Sequence, residues 1–145
     1  MQVGPEIPNS YYRVSVKALI TDPEARVLAV NERGTGWGLP GGGLDWGENA
    51  HQALARELQE ELGCNAEIEK QPVLIAPAHA HSHNQHVLWI VYRAHIDPKH
   101  ISEVTQADDV RFMTVQELKA KEEYYEVTWE SPIDFWAELQ ALIAS

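Results

Sequence analysis

The sequence predicts an α+β fold in which a β-sheet is covered by α-helices. Three observations lead there. Two β-branched, apolar runs near the start flank a turn signature. A glycine-dense segment then leads into a strongly helix-forming one. Two further apolar runs precede a C-terminal stretch whose large side chains recur at helical spacing. At 145 residues the chain suits one domain, residues 1–145, with a sizeable core.

In chain order, Tyr11 to Thr21 and Arg26 to Asn31 are expected as strands, and Asp22-Pro23-Glu24-Ala25 between them reads as a turn, so the two should pair as a hairpin. Gly34 to Gly47 holds seven of the nine glycines together with Pro40 and is expected to be a loop with unusual backbone angles. From Asn49 to Leu62 the composition turns to Ala, Leu, Gln, Glu and Arg, which predicts a helix, with Gly63 as its C-terminal cap. Ala66 to Ala78 and Val87 to Ile96 are expected as strands joined by the polar stretch His79 to His86. Val110 to Thr114 reads as a short strand and Val115 to Lys121 as a helical turn. In the last helix Ser131 is placed as N-cap and Pro132 at the first position. Phe135, Trp136, Leu139, Leu142 and Ile143 follow at helical spacing.

Composition excludes several classes of function. Eleven basic against 22 acidic residues leave a net charge of -11, a field that repels long nucleic acids. A small anionic substrate stays open, because a bound divalent cation inverts the local charge. A lone cysteine, Cys64, forms no intramolecular disulfide, and it reads as an inert buried thiol in a reducing compartment. Met1 to Tyr12 has no signal-peptide core, and Val87 to Tyr92 is far short of the roughly 20 residues of a membrane span. A soluble, cytoplasmic protein without membrane partners is expected, with a homodimer left open.

The chemistry concentrates on the Asn49 to Leu62 helix. At 100° per residue, Glu57, Glu60 and Glu61 fall within an arc of roughly 100°, beside an apolar stripe of Ala50, Leu54, Leu58 and Leu62. Like charges at these spacings cost an isolated helix about 0.2–0.5 kcal/mol per pair. Taken alone they read as a solvated face; taken as a cluster of hard oxygens they suit Mg²⁺ or Mn²⁺. Arg56 can neutralise and orient part of the cluster, and Glu48 gains from the helix N-terminus and can point back toward it.

The wider spacing decides between these readings. Gly42 to Cys64 reads GGLDWGENAHQALARELQEELGC, with Gly42, Glu48, Arg56, Glu57, Leu58, Glu60, Glu61, Gly63 and Cys64 at fixed intervals. This resembles the Nudix box of the Nudix hydrolases, with no fixed position missing. Trp37 and Leu39-Pro40-Gly41-Gly42 precede the box as the family commonly shows. Asp108 to Leu118 resembles a later family segment, with Phe112 where Trp is frequent.

The resemblance implies the Nudix fold, a mixed β-sheet sandwiched between α-helices, and metal-dependent hydrolysis of a diphosphate bond in a small nucleoside di- or triphosphate derivative. It implies Glu57, Glu60 and Glu61 as metal ligands, with the Gly42 carbonyl added. Glu57 is favoured as general base, held by Arg56; Glu61 is the first alternative, and Glu103, Asp108 or Asp109 is an outlying base or ligand. A nucleotide-sensing domain without catalysis is an alternative that the complete box opposes. An isopentenyl diphosphate isomerase is another, which the placement of Cys64 opposes. RNA decapping is opposed by the charge.

Other residues carry two readings each. Arg33 clamps a phosphate or base, or is a surface arginine. Trp46 caps the substrate mouth or covers the helix N-terminus. His79, His81 and His83 share one side of an extended strand, where they suit Zn²⁺ or Ni²⁺. They are otherwise an exposed hairpin end, with His81 as a substrate-pocket candidate. Trp37 and Trp89 read as packing residues.

Overall fold

The computed structural model describes residues 11–32, 36–80, 85–101, 107–121, 127–129 and 134–145. The first half comprises strands β1 (Tyr12–Leu19), β2 (Val27–Glu32), β3 (Trp37–Gly38) and β4 (Gly41–Gly43), then helix α1 (Ala50–Leu62). The second half comprises β5 (Glu67–Ala80), β6 (Gln85–His95), β7 (Ala107–Met113), α2 (Val115–Lys121), β8 (Val127–Trp129) and α3 (Phe135–Ala144).

One sheet has the order β4-β1-β6-β5-β8 and the other β3-β2-β7. The first is mixed, because β1 runs parallel to β6 while its other ladders are antiparallel. Period-two alternation gives the strands two apolar faces. On one face Val16, Ala18, Leu28, Val30, Tyr92 and Ala94 meet Ala53, Leu54, Leu58 and Leu62 of α1. On the other, Leu19, Val27, Ala29, Ala76 and Val91 meet Val115 and Leu118 of α2 and Phe135 and Leu139 of α3. The expected sandwich of sheet between helices is what forms. Each fully buried leucine of α1 contributes about 1.5–3 kcal/mol, which anchors the helix that carries the carboxylates.

Helix α1 begins where its local signals place it. Asn49 accepts from the Gln52 N–H at 2.8 Å, and the Gln52 side chain accepts from the Asn49 N–H at 3.0 Å. Gly63, left-handed at φ 67°, closes the helix by donating to the Gln59 carbonyl. Cys64 is buried, as expected, and burial pushes its thiol above the ordinary value.

Three local expectations are corrected, and one strand is added. The Asp22 turn closes, with Asp22 N–H on the Arg26 carbonyl at 3.0 Å and Leu28 N–H on Ile20 at 2.8 Å. Beyond the single Thr21–Val27 bridge, however, β1 and β2 part into different sheets, because β2 finds its ladders with β7 and β3. The glycine segment is not all loop: β3 and β4 form within it, and β4 pairs with β1 through Ser15–Gly43, Val16–Gly42 and Lys17–Gly41. The last helix starts at Phe135, where the Asp134 side chain accepts from Ala137 N–H at 3.1 Å and takes the capping role assigned to Ser131; Ser131 and Pro132 lie outside the described residues. Strand β8, opposite Ala78 to Ala80, had no counterpart in the sequence reading.

Candidate active site

Three elements converge on the acidic flank of α1: the edge strand β4, the turn 45–48 that follows it, and the helix itself. β4 can lie this close because its residues carry no side chains. A Cβ on Gly41 would stand 2.0 Å from the Val16 carbonyl oxygen, and one on Gly42 would stand 2.6 Å from the Glu57 carboxyl carbon. The backbone of Gly42 therefore bears directly on the Glu57 carboxylate.

Arg56 organises the charges. Its Nε and Nη2 donate to the two carboxyl oxygens of Glu48 at 2.8 and 2.9 Å, a bidentate pair. Nη1 donates to Glu57 Oε1 at 3.0 Å and stands 3.4 Å from Glu60 Oε1. Nη2 also donates to the Gly43 carbonyl at 3.2 Å and lies 3.2 Å from Asp45. One guanidinium thus ties the turn, β4 and two box carboxylates together.

Electrostatics follow from this arrangement. The Arg56 hydrogen bonds hold the Glu48 carboxyl down at about 2, and the carboxylates in turn raise Arg56 above its usual value. Glu57 moves the other way. Burial pushes its pKa up, the hydrogen bond and charge of Arg56 oppose this, the like charge of Glu60 adds to it, and Lys17 draws it back. A carboxyl so placed is a better proton acceptor than a free one.

Glu61 points elsewhere. It is 2% exposed and accepts from the Gly41 N–H at 2.6 Å. The glutamates therefore divide, with Glu57 and Glu60 sharing Arg56 and Glu61 held under β4. Among the described residues no three His, Cys, Asp or Glu side chains converge on a common ion position as they stand. The donors nevertheless suit a hard divalent cation: all are oxygens, Glu57 carries a desolvated charge, and the bare Gly42 leaves room for no side chain over it. Glu60, 41% exposed and at 3.4 Å, holds Arg56 loosely enough to exchange that contact.

Of the remaining candidates, Trp46 is fully exposed on the turn 45–48. That turn is closed by Glu48 N–H on the Asp45 carbonyl and by Asp45 N–H on Glu48 Oε1. Arg33, His81, His83 and Glu103 lie outside the described residues, as do the side chains of Asp108 and Asp109 on β7. His79 faces His86 across the β5–β6 ladder, ring centroids 5.2 Å apart, and His86 stands 5.5 Å from the Tyr12 ring. Trp89 and Trp37 are half-buried against the second core, as packing residues should be.

Sequence reasoning missed Lys17. It is 7% exposed, with Nζ 3.5 Å from the Gly41 carbonyl oxygen. A lysine inside the apolar run Val14 to Ile20 was the signal available, since lysine is almost never buried without partners.

The NUDIX domain family model matches residues 11–131 of this chain. An RNA pyrophosphohydrolase of Ruthia magnifica subsp. Calyptogena magnifica is 40% identical over 62 residues, which span 42% of this chain and 35% of that protein. Another, from Teredinibacter turnerae, is 43% identical over 58 residues, 39% of this chain and 34% of its own length. The chain thus matches about a third of the length of these curated relatives. Among solved structures, a UDP-X diphosphatase superposes with TM-score 0.70 at 19% identity, covering 97% of this chain and 66% of that one. A NUDIX hydrolase from Nitrosomonas europaea superposes with TM-score 0.67 at 23% identity, covering 91% and 90%. At these identities the likeness is one of fold.

Proposed function

The chain belongs to the Nudix family, and on that premise we propose that it is a single-domain, metal-dependent hydrolase of a diphosphate bond in a small nucleoside di- or triphosphate derivative. The observation that supports this best is the Gly42 backbone lying on the Glu57 carboxylate while Arg56 joins Glu57, Glu60 and Glu48. Glu57, Glu60 and Glu61, with the Gly42 carbonyl, would hold Mg²⁺ or Mn²⁺. When bound, the cation neutralises phosphate oxygens and makes water easier to deprotonate.

The protein's own groups do the rest. Glu57 accepts the proton of the attacking water, and Arg56 fixes the direction of that carboxylate. Glu61 is the alternative base and steadies β4 through the Gly41 N–H. Attack at phosphorus breaks the P–O–P bond, and one phosphate fragment leaves with the bridging oxygen. Cys64, buried and with its thiol pushed toward the protonated form, is poorly suited to the proton transfer an isomerase needs. A reduced Cys64 also agrees with a cytoplasmic location.

A second reading, attack on the triphosphate end of RNA, draws on the names of the partial relatives; the net charge of -11 opposes it. The test is a panel of nucleoside triphosphates, nucleotide sugars, dinucleotides and 5′-triphosphorylated RNA with Mg²⁺, reading released phosphate and pyrophosphate. We expect turnover of a small nucleotide, abolished by chelator. Turnover of RNA alone would establish the second reading, and turnover of nothing would leave a nucleotide-sensing domain.

A further inference from the structure

A buried cation lies beside the glycine strand, and the hydrolysis described so far uses no more of it than its charge near Glu57. Lys17 stands mid-strand in β1, directly paired with Gly41 of β4. Its ammonium is 3.5 Å from the Gly41 carbonyl oxygen and 4.9 Å from the centroid of the Trp89 ring. Trp89 meets Phe135 of α3 edge-on at 5.5 Å, and Phe135 meets Trp136 at 5.1 Å. The aromatic face offsets part of the cost of taking the ammonium from water. The floor beneath it is packed on the last helix within the same core.

Gly41 is gripped from the other end as well. Its N–H donates to Glu61 at 2.6 Å, its φ is +136°, and no side chain could fit there. The next residue, Gly42, bears on the Glu57 carboxylate. Any drift of the Gly41 peptide is therefore passed to Glu61 through one hydrogen bond and to Glu57 through one residue of backbone. A site whose geometry must hold within fractions of an ångström needs such a strand fixed.

We propose that Lys17 is a positioning residue: its ammonium, seated on Trp89, clamps the Gly41 carbonyl so that the Gly41–Gly42 backbone stays locked against Glu57 and Glu61. The kinetic part of this inference rests on the hydrolase reading; the clamp itself does not. The alternative is a lysine whose stem merely fills space between β1 and Trp89.

Lys17→Met, which keeps the stem and removes the charge, separates the two. Amide exchange of Gly41, measured by NMR on metal-free protein, should accelerate at least about tenfold while amides of the β1–β6 ladder keep their protection. With Mg²⁺ and the best substrate of the panel, kcat should fall about 10- to 100-fold with KM within about threefold. Lys17→Arg, which restores the charge, should recover part of both losses. Trp89→Leu, which removes the floor and leaves the ammonium, should shift both readouts less, in the same direction. Unchanged Gly41 exchange and kcat in a folded Lys17→Met protein would overturn the clamp. If that variant does not fold, Trp89→Leu decides by the same two readouts. If wild-type protein turns over nothing, the hydrolase reading fails alone, and Gly41 exchange still decides the clamp.

Discussion

Gly42→Ala is a sharp perturbation of the site because it changes one methyl group and the fold can absorb it. The new Cβ would stand 2.6 Å from the Glu57 carboxyl carbon and from Oε1, and 2.7 Å from Oε2. Ordinary contact between such atoms needs roughly 3.4 Å or more, so the carboxyl must retreat by roughly 0.8 Å. The retreating atoms end a flexible side chain, so the fold loses only what an off-rotamer glutamate costs, about 0.5–1.5 kcal/mol. For a chain of this length that is a fall of a few degrees in melting temperature. The chemistry is far less tolerant, since a misplacement of about 1 Å costs on the order of 100-fold in rate. Steady-state kcat beside a thermal melt separates the two effects. Wild-type kcat in a variant that melts near the wild-type temperature would show that the seat of Glu57 against Gly42 is immaterial.

Four further outcomes follow from the same structure. Arg56→Met should destabilise the protein by about 1–2 kcal/mol in denaturant titration, the usual value of charged hydrogen bonds discounted because the side chain is 30% exposed; kcat should fall as well, because Glu57 and Glu60 lose their common partner. Glu48 has a depressed value, about 2 against an ordinary 4.5, so its stabilisation is complete above about 4.5 and disappears as the pH falls toward about 2. Melting temperature should drop across that window, and Glu48→Gln should flatten the drop. Glu57 has the opposite sign, since burial raises its value and its protonation favours the folded state; Glu57→Gln should steepen the acid loss. Leu58→Ala, at a position with no exposure, should cost about 2–5 kcal/mol in calorimetry or denaturant titration.

What was legible in the sequence was what depends on nearby residues. α1 is written in its capping box, its leucine stripe and Gly63, all within one turn of the features they explain. The reach of Arg56 to Glu48, Glu57 and Glu60 follows from helical spacing and the residues just before the helix. Long-range pairing was not legible. The composition of Val27–Glu32 marks a strand, and nothing in it says that β7 and β3, rather than β1, will be its neighbours. Glycines suggested a loop at 41–43, yet their lack of side chains is what lets β4 press against β1 and Glu57. Ser131 reads as the cap of the last helix, whereas the helix starts at Phe135 with the Asp134 side chain on the Ala137 N–H. Lys17 stood in plain view, but its partners Gly41 and Trp89 lie 24 and 72 residues away, and only the folded sheet brings them together.

The proposed hydrolysis requires that the carboxylates of α1 carry out the chemistry, and Glu61 is the most deeply buried of them. The direct measurement is the turnover rate of Glu61→Gln at saturating Mg²⁺, with its melting curve taken on the same preparation. The amide oxygen of glutamine can still accept from the Gly41 N–H, so the fold should hold while the rate falls by on the order of 100-fold or more. A folded variant working at the wild-type rate would show that Glu61 takes no part in the reaction.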